Sequence, residues 1–312
     1  MSDPVPEEVA RALTATAGRR GAFGSPFYFF HETGSTNDIA GTLAEHGAPQ
    51  GTTVLASSQT AGRGRFGRAW FSPPGAGLYV SIVCRDERAA PLLTLAGGVA
   101  AADGIRNATG LPVLIKWPND IVVEDRRRVA RRKLAGILAE ASSTPDGLQY
   151  VILGFGINLG RAAYPPELSD RATSIEVELG RQVDGAAVLA ETLAVFAERF
   201  CELERGNSVN VLGRWRELAP ASRGATVEWD TPGGAVTGVT AGIDDDGALL
   251  VRVGSRIERI ISDLQAQGKV PPRLELPAER FMLLICSSSE YTGRSPNSAS
   301  MPWSEISTPP CA

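Results

Sequence analysis

Residues 59–73 read Gln59-Thr60-Ala61-Gly62-Arg63-Gly64-Arg65-Phe66-Gly67-Arg68-Ala69-Trp70-Phe71-Ser72-Pro73, and Pro74 follows. Three arginines and three glycines fall within the seven positions from Gly62 to Arg68. Glycine lets a backbone approach a ligand closely and take up positive φ. Arginine presents a fixed fork of donors that matches carboxylate and phosphate oxygens. The stretch therefore predicts a mobile loop that closes over an anion. It also contains the spacing G-x-G-x-x-G (Gly62, Gly64, Gly67) after a strand-like run, with Asp86 near the acidic position of a dinucleotide fingerprint. That fingerprint must open a helix, whose N-terminus receives the pyrophosphate. Pro73 and Pro74 would stand in the first turns of that helix and prevent it. The dinucleotide reading is set aside. Taken alone, the stretch would also suit a solvated basic hairpin loop.

Four further motifs accompany it in order. Upstream lies Glu32-Thr33-Gly34-Ser35-Thr36-Asn37-Asp38. Downstream come Lys116-Trp117-Pro118-Asn119-Asp120, then Arg132-Lys133-Leu134-Ala135-Gly136-Ile137-Leu138-Ala139-Glu140, then Gly154-Phe155-Gly156-Ile157-Asn158-Leu159. Each motif is weak by itself; five in this order over residues 27–262 are specific. The set resembles the biotin protein ligases, monofunctional type, which adenylate biotin and transfer it to a lysine of a carrier domain. The resemblance implies an α+β chain: a catalytic domain like those of class II aminoacyl-tRNA synthetases and biotinyl synthetases, then a small SH3-like β-barrel. A lipoate ligase on the same fold is the near alternative, and Gly-Arg-Gly-Arg with Lys-Trp-Pro-Asn-Asp favours biotin. A biotin-sensing regulator is the alternative of another class, and a catalytically dead binding module conflicts with Arg63, Arg65 and Lys133.

Composition sets outer limits. The chain has 312 residues, enough for a catalytic domain and a small second one. With 43% hydrophobic and 21% charged residues it reads as globular. A formal net charge of -4 argues against nucleic acid as the main partner. Cys84, Cys201, Cys286 and Cys311 are far apart and suggest neither disulfides nor a zinc site. The opening residues lack a cationic lead and an apolar core, so no signal peptide is expected. No apolar run approaches the ~20 residues of a membrane span. A cytoplasmic location is the expectation.

Periodicity places strands at Thr52–Ser58, Gly77–Cys84, Leu114–Trp117, Ile121–Glu124 and Tyr150–Asn158. Helices are expected at Thr36–His46, Leu92–Thr109 and Gly185–Glu204, with one more over Glu7–Thr16 in the lead. Short strands recur from Ser222: Thr226–Trp229, Ala235–Ile243, Ala248–Val253 and Arg256–Ile261, with turns at 230–234 and 244–247. The domains expected are a partly disordered lead 1–25, a catalytic domain 26–215, a barrel 222–262 and a disordered tail 263–312. The tail is rich in Ser, Pro and Gly. Residues 126–132 are strongly basic and suit a solvated hairpin tip beside Lys133.

Ser35 and Thr36 precede a helical pattern, as N-cap residues do. The resemblance gives Ser35, Thr36, Asn37 and Gln59 to the ureido ring of biotin, a ring that needs donors and acceptors. It adds Gly62, Arg63, Gly64, Arg65, Lys133 and Gly136 to the biotin site. Arg68, Trp70, Asn119, Lys133 and Asn158 fall to the nucleotide. Arg63, Arg65 and Lys133 are the expected catalytic cations, because adenylation unites a carboxylate with an α-phosphate and the two repel. Asp120 is the carboxylate expected to orient the incoming lysine or take its proton. ATP with Mg²⁺ and biotin are the implied co-substrates, with no metal ligated directly by protein. The implied partner is the biotin carboxyl carrier domain of a carboxylase, with neither nucleic acid nor membrane, and the chain a monomer or weak homodimer.

Overall fold

The computed structural model describes residues 2–125, 130–162, 164–231 and 234–261, and the short segments 265–266 and 283–284. The N-terminal part holds α1 (Glu7–Ala15), α2 (Ala17–Arg20), β1 (Phe27–Phe30), α3 (Thr36–Glu45), β2 (Thr53–Ala56) and β3 (Gly77–Cys84). Then come α4 (Leu93–Thr109), β4 (Leu114–Lys116), β5 (Asp120–Asp125), β6 (Ala130–Thr144) and β7 (Gly147–Asn158). Four helices follow: α5 (Pro166–Ser169), α6 (Ile175–Leu179), α7 (Gly185–Glu204) and α8 (Ser208–Leu218). Last are β8 (Arg223–Thr231), β9 (Gly234–Ile243), β10 (Leu249–Val253) and β11 (Arg256–Ile260).

The main sheet runs in the order β1-β2-β3-β7-β6-β5-β4. Only β1 and β2 pair in parallel along that path. Strand periodicity explains its two covered faces, since alternate side chains leave on opposite sides. Leu55, Ile82 and Val151 join the large core with α4 and α7, whereas Val54, Val83 and Ile152 pack with Ala40 and Ala44 of α3. Small residues bring α4 close to its neighbours: a β-carbon on Gly104 would stand 2.6 Å from the Thr192 backbone of α7. Asp184 caps α7 by accepting from the backbone N–H groups of Ala186 and Ala187.

Strands β8 to β11 form an antiparallel meander. Its Trp229, Val251 and Ile260 are fully buried and belong to the same core as the catalytic part. The turn between β9 and β10 seats on that part: Trp117 Nε1 donates to the Gly247 carbonyl at 3.0 Å. Gly247 has φ 81°, and a β-carbon there would lie 2.5 Å from Leu95 of α4. Only glycine fits that turn.

Three expectations are corrected. The lead, expected to be partly disordered, forms α1 and α2 and buries Val9, Leu13 and Phe23 in the core. A boundary at 215 would cut α8, which runs to Leu218 with Trp215 and Leu218 buried. Of the basic stretch 126–132 expected at a hairpin tip, residues 130–132 belong instead to strand β6, paired with β5. Within the Arg loop Gly64 N donates to Arg68 O, Trp70 N to Gly62 O, and Arg65–Gly67 makes a 3₁₀ turn. Apart from segments 265–266 and 283–284, the expected disordered tail 263–312 lies outside the described residues, as do positions 126–129 of the basic stretch.

Candidate active site

A cavity of about 490 Å³ opens between the Arg loop, the N-terminus of α3, strands β6 and β7, the β4–β5 turn and the segment 164–172. It gathers Ser35, Thr36, Asn37, Gln59, Arg63, Gly64, Arg65, Arg68, Trp70, Asn119, Asp120, Lys133, Gly136 and Asn158. Gly62 is the expected site residue that does not line it. A β-carbon on Gly62 would lie 2.6 Å from Ser72 Oγ and 2.7 Å from Trp70 O, so its smallness serves the packing under the loop.

One end is polar and uncharged. Ser35, Thr36 and Asn37 are buried where α3 begins. Ser35 occupies the N-cap position, yet its side chain makes no capping bond. Gln59 Oε1 accepts from Thr36 N at 2.9 Å and from Thr36 Oγ1 at 3.1 Å. Its Nε2 donates to Ser72 Oγ at 3.0 Å. Ser81 Oγ donates to Asn37 Oδ1 at 2.5 Å, and Asn37 Nδ2 donates to Glu140 Oε2 at 2.6 Å. A β-carbon on Gly154 would stand 2.5 Å from Asn37 Oδ1, so the strand behind must carry glycine.

Cations surround the rest. Arg63 forks onto Asp38, with Nη1 at 2.8 Å and Nη2 at 2.6 Å from its oxygens, and Nη2 also reaches Glu140 at 3.3 Å. Hydrogen bonding to Asp38 outweighs desolvation and, with the charge of Glu140, holds the guanidinium well above its ordinary pKa. Arg65 lies 4.7 Å over the ring of Phe66, an exposed residue with φ 58°. Lys133 Nζ pairs with Asp120 at 2.5 Å and sits 5.1 Å from the centre of the Trp70 ring. Lys116 lines the same wall; burial, the largest cause, pulls its pKa below 10.5, against an upward pull from Asp120.

Strand register builds the floor. Gly136 of β6 is the partner of Gly156 of β7, and the Trp70 indole lies across both. Asn119 and Ile137 exchange two bonds, Nδ2 to the Ile137 carbonyl at 2.8 Å and Ile137 N to the Asn119 carbonyl at 2.9 Å. These fix the β4–β5 turn against β6. Asn158 Nδ2 donates to Thr173 O at 2.9 Å. Lys133 N donates to Arg171 O and Thr173 N to Lys133 O, which ties the segment 171–173 beside the strand.

The same regions match known families. Residues 30–158 match the biotin/lipoate A/B protein ligase family, and residues 224–262 the biotin protein ligase C-terminal domain. Over 228 residues the chain is 35% identical to a biotin–[acetyl-CoA-carboxylase] ligase of Paracoccus denitrificans, covering 70% of this chain and 91% of that protein. The chain belongs to the biotin protein ligase family. As a ligase of this family it joins biotin to a carrier protein. A Mycobacterium tuberculosis ligase of the same name is 34% identical over 72% of this chain and 82% of its own length. A bifunctional ligase/repressor BirA of Bacillus subtilis is 36% identical, over 73% and 70%. Among solved structures, a ligase from Aquifex aeolicus in complex with biotin and ATP superposes with a TM-score of 0.65 at 28% identity, over 76% of this chain and 95% of that one.

Sequence reading missed several lining residues of this ligase. Gly154 and Gly156 share a strand face with Asn158, a period-two signal that was present. Glu140 stands behind the lining, bonded to Asn37 and Arg63, and a carboxylate in an apolar strand was the clue. Tyr164, Leu168 and Arg171 also line the cavity, but nothing local in residues 160–172 marks them. No helix among the described residues is long and apolar enough to cross a membrane.

Proposed function

We propose that this cavity makes biotinyl-AMP and then presents it to a lysine of the carrier domain of an acetyl-CoA-carboxylase-type enzyme. A biotin carboxylate oxygen attacks the α-phosphorus of ATP, and the bond to pyrophosphate breaks. The carrier ε-amine then attacks the acyl carbon, the bond to AMP breaks, and the amine proton leaves by Asp120 or water. The observation that carries this reading is the continuity of one cavity, uncharged and polar at α3 and cationic at Arg65, Arg68 and Lys133. An uncharged ureido ring suits the first end, and a carboxylate meeting a triphosphate suits the second.

Ser35, Thr36, Asn37 and Gln59 hold the ring, with Gly136 giving room for it. Arg63, Arg65 and Lys133 neutralise the carboxylate and α-phosphate. Arg68, Trp70, Asn119 and Asn158 serve the nucleotide. Mg²⁺ enters with the triphosphate and shields its charge. Among the described residues no three or more His, Cys, Asp or Glu side chains cluster as a metal site. Asn119 is the residue that would steady the water shell of the Mg²⁺. The catalytic unit comprises the residues up to α8, and the barrel residues 222–262. The chain is proposed to act as a monomer or weak homodimer, which sedimentation tests.

Pyrophosphate release with biotin and with lipoate, followed by labelling of a carboxylase carrier domain, tests the reading. Release with lipoate alone, or an unlabelled carrier, overturns it.

A further inference from the structure

Arg63 of the anion loop and Asn37 of the ring-binding set lie on different elements, yet one buried atom joins them. Glu140 is 5% exposed on β6. Its Oε2 accepts from Asn37 Nδ2 at 2.6 Å and from Arg63 Nη2 at 3.3 Å. A carboxylate only accepts, so it can face the NH₂ end of the Asn37 amide and repels the carbonyl end. That turns Asn37 Oδ1 toward Ser81, whose hydroxyl donates to it at 2.5 Å. The other partner of Arg63, Asp38, has a side chain 56% exposed, against 7% for Glu140. Of the two pairs, the exposed one is screened by water and the buried one far less. Arg63 can exchange Asp38 for a substrate anion while Glu140 keeps its hold.

We infer that Glu140 is the positioning residue that orients the Asn37 amide for the biotin ring and sets Arg63 toward the biotin carboxylate, coupling the two ends of the substrate. This rests on the roles proposed above for Asn37 and Arg63. Glu140 itself need not touch biotin.

The test compares Glu140→Gln, Asn37→Ala, Arg63→Met and Asp38→Asn by biotin and ATP KM in pyrophosphate release. The glutamine matches the shape but loses the charge and presents a second NH₂ that competes with Asn37. Biotin KM should rise about tenfold or more with Glu140→Gln, the scale of one charge-assisted hydrogen bond. ATP KM should change less than threefold, and Asp38→Asn should move biotin KM less than Glu140→Gln does. In an Asn37→Ala background, Glu140→Gln should cost less than it does alone, because its target is gone. A purely structural role would instead give equal cost in both backgrounds and a shift in both KM values, and would overturn the inference. If Asn37→Ala leaves biotin KM unchanged, the reading of Asn37 fails. If it raises KM while Glu140→Gln does not, only the positioning role fails. Should Glu140→Gln not fold, the Asn37→Ala and Arg63→Met cycle with Glu140 in place still decides: coupling of threefold or more supports the link, and additive effects overturn it.

Discussion

The indole of Trp70 lies so close over Gly156 that a β-carbon there would stand 2.4 Å from the ring. Gly136, its register partner on β6, would place a β-carbon 3.1 Å from the same ring. Two facing glycines thus make the flat bed on which the base of the Arg loop rests. Gly156→Ala should lift Trp70, and with it the loop, while the strand pairing persists. Displacing a positioning group by about 1 Å can cost roughly 100-fold. Pyrophosphate release should fall by about that factor with circular dichroism unchanged; wild-type release would show that the indole is not needed where it sits.

Lys133 and Asp120 lie 2.5 Å apart, so each holds the other before substrate arrives. Lys133→Ala should weaken adenylation by roughly 10- to 150-fold, one charge-assisted bond of ~1.5–3 kcal/mol. Asp120→Asn should spare adenylation and slow transfer to the carrier by about 100-fold, the lower range of a general base. Separate assays of pyrophosphate release and carrier labelling distinguish the two. Equal loss in both half-reactions for Asp120→Asn would remove its assignment to transfer.

Lys116 provides a pH prediction. Burial lowers its folded pKa below the ordinary 10.5. Between those two values the unfolded chain binds more protons than the folded one, so stability from this group rises with pH there. Below the folded value the penalty is fully present. Lys116→Met should therefore stabilise the protein at neutral pH, with a gain that shrinks as pH climbs toward 10.5. Melting temperatures of both proteins across that range check it, and a gain that grows with pH would contradict the sign.

Arg65 stands at the tip of the loop, with its guanidinium over the ring of Phe66. Arg65→Gly removes a clamp but leaves Lys133, Trp70 and the polar end intact. The variant should release biotinyl-AMP early and label bystander proteins as well as the carrier. Incubation with carrier and excess bystander, blotted for biotin, reads this out. Labelling confined to the carrier would end the retention role of Arg65.

Among the described residues the last buried member of the core is Ile260 of β11, and residues 265–266 and 283–284 pair with β6 and β8. A chain shortened to end at Ala266 should keep its melting temperature and its ligase activity. Loss of either would make the removed residues part of the working structure.

Residues close in sequence were the legible ones. Gly185–Glu204 formed the helix its apolar spacing predicts, and Gly77–Cys84 the predicted strand, because each pattern carries its own period. Arg63, Lys133 and Asn37 could be named as candidates because they lie in short local motifs that resemble those of the biotin protein ligases. What the local signal could not supply was partnership. Glu140 lies 103 residues from Asn37 and 77 from Arg63, and only the β6–β7 register and the placement of α3 bring the three together. The same holds for Arg171, which reaches the cavity because Lys133 of β6 hydrogen-bonds its carbonyl. Sequence determined which chemical groups were present and which elements carried them, since propensity and period act over a few residues. Tertiary structure alone decided which carboxylate faces which cation, because long-range packing sets those distances and Coulomb energy depends on them.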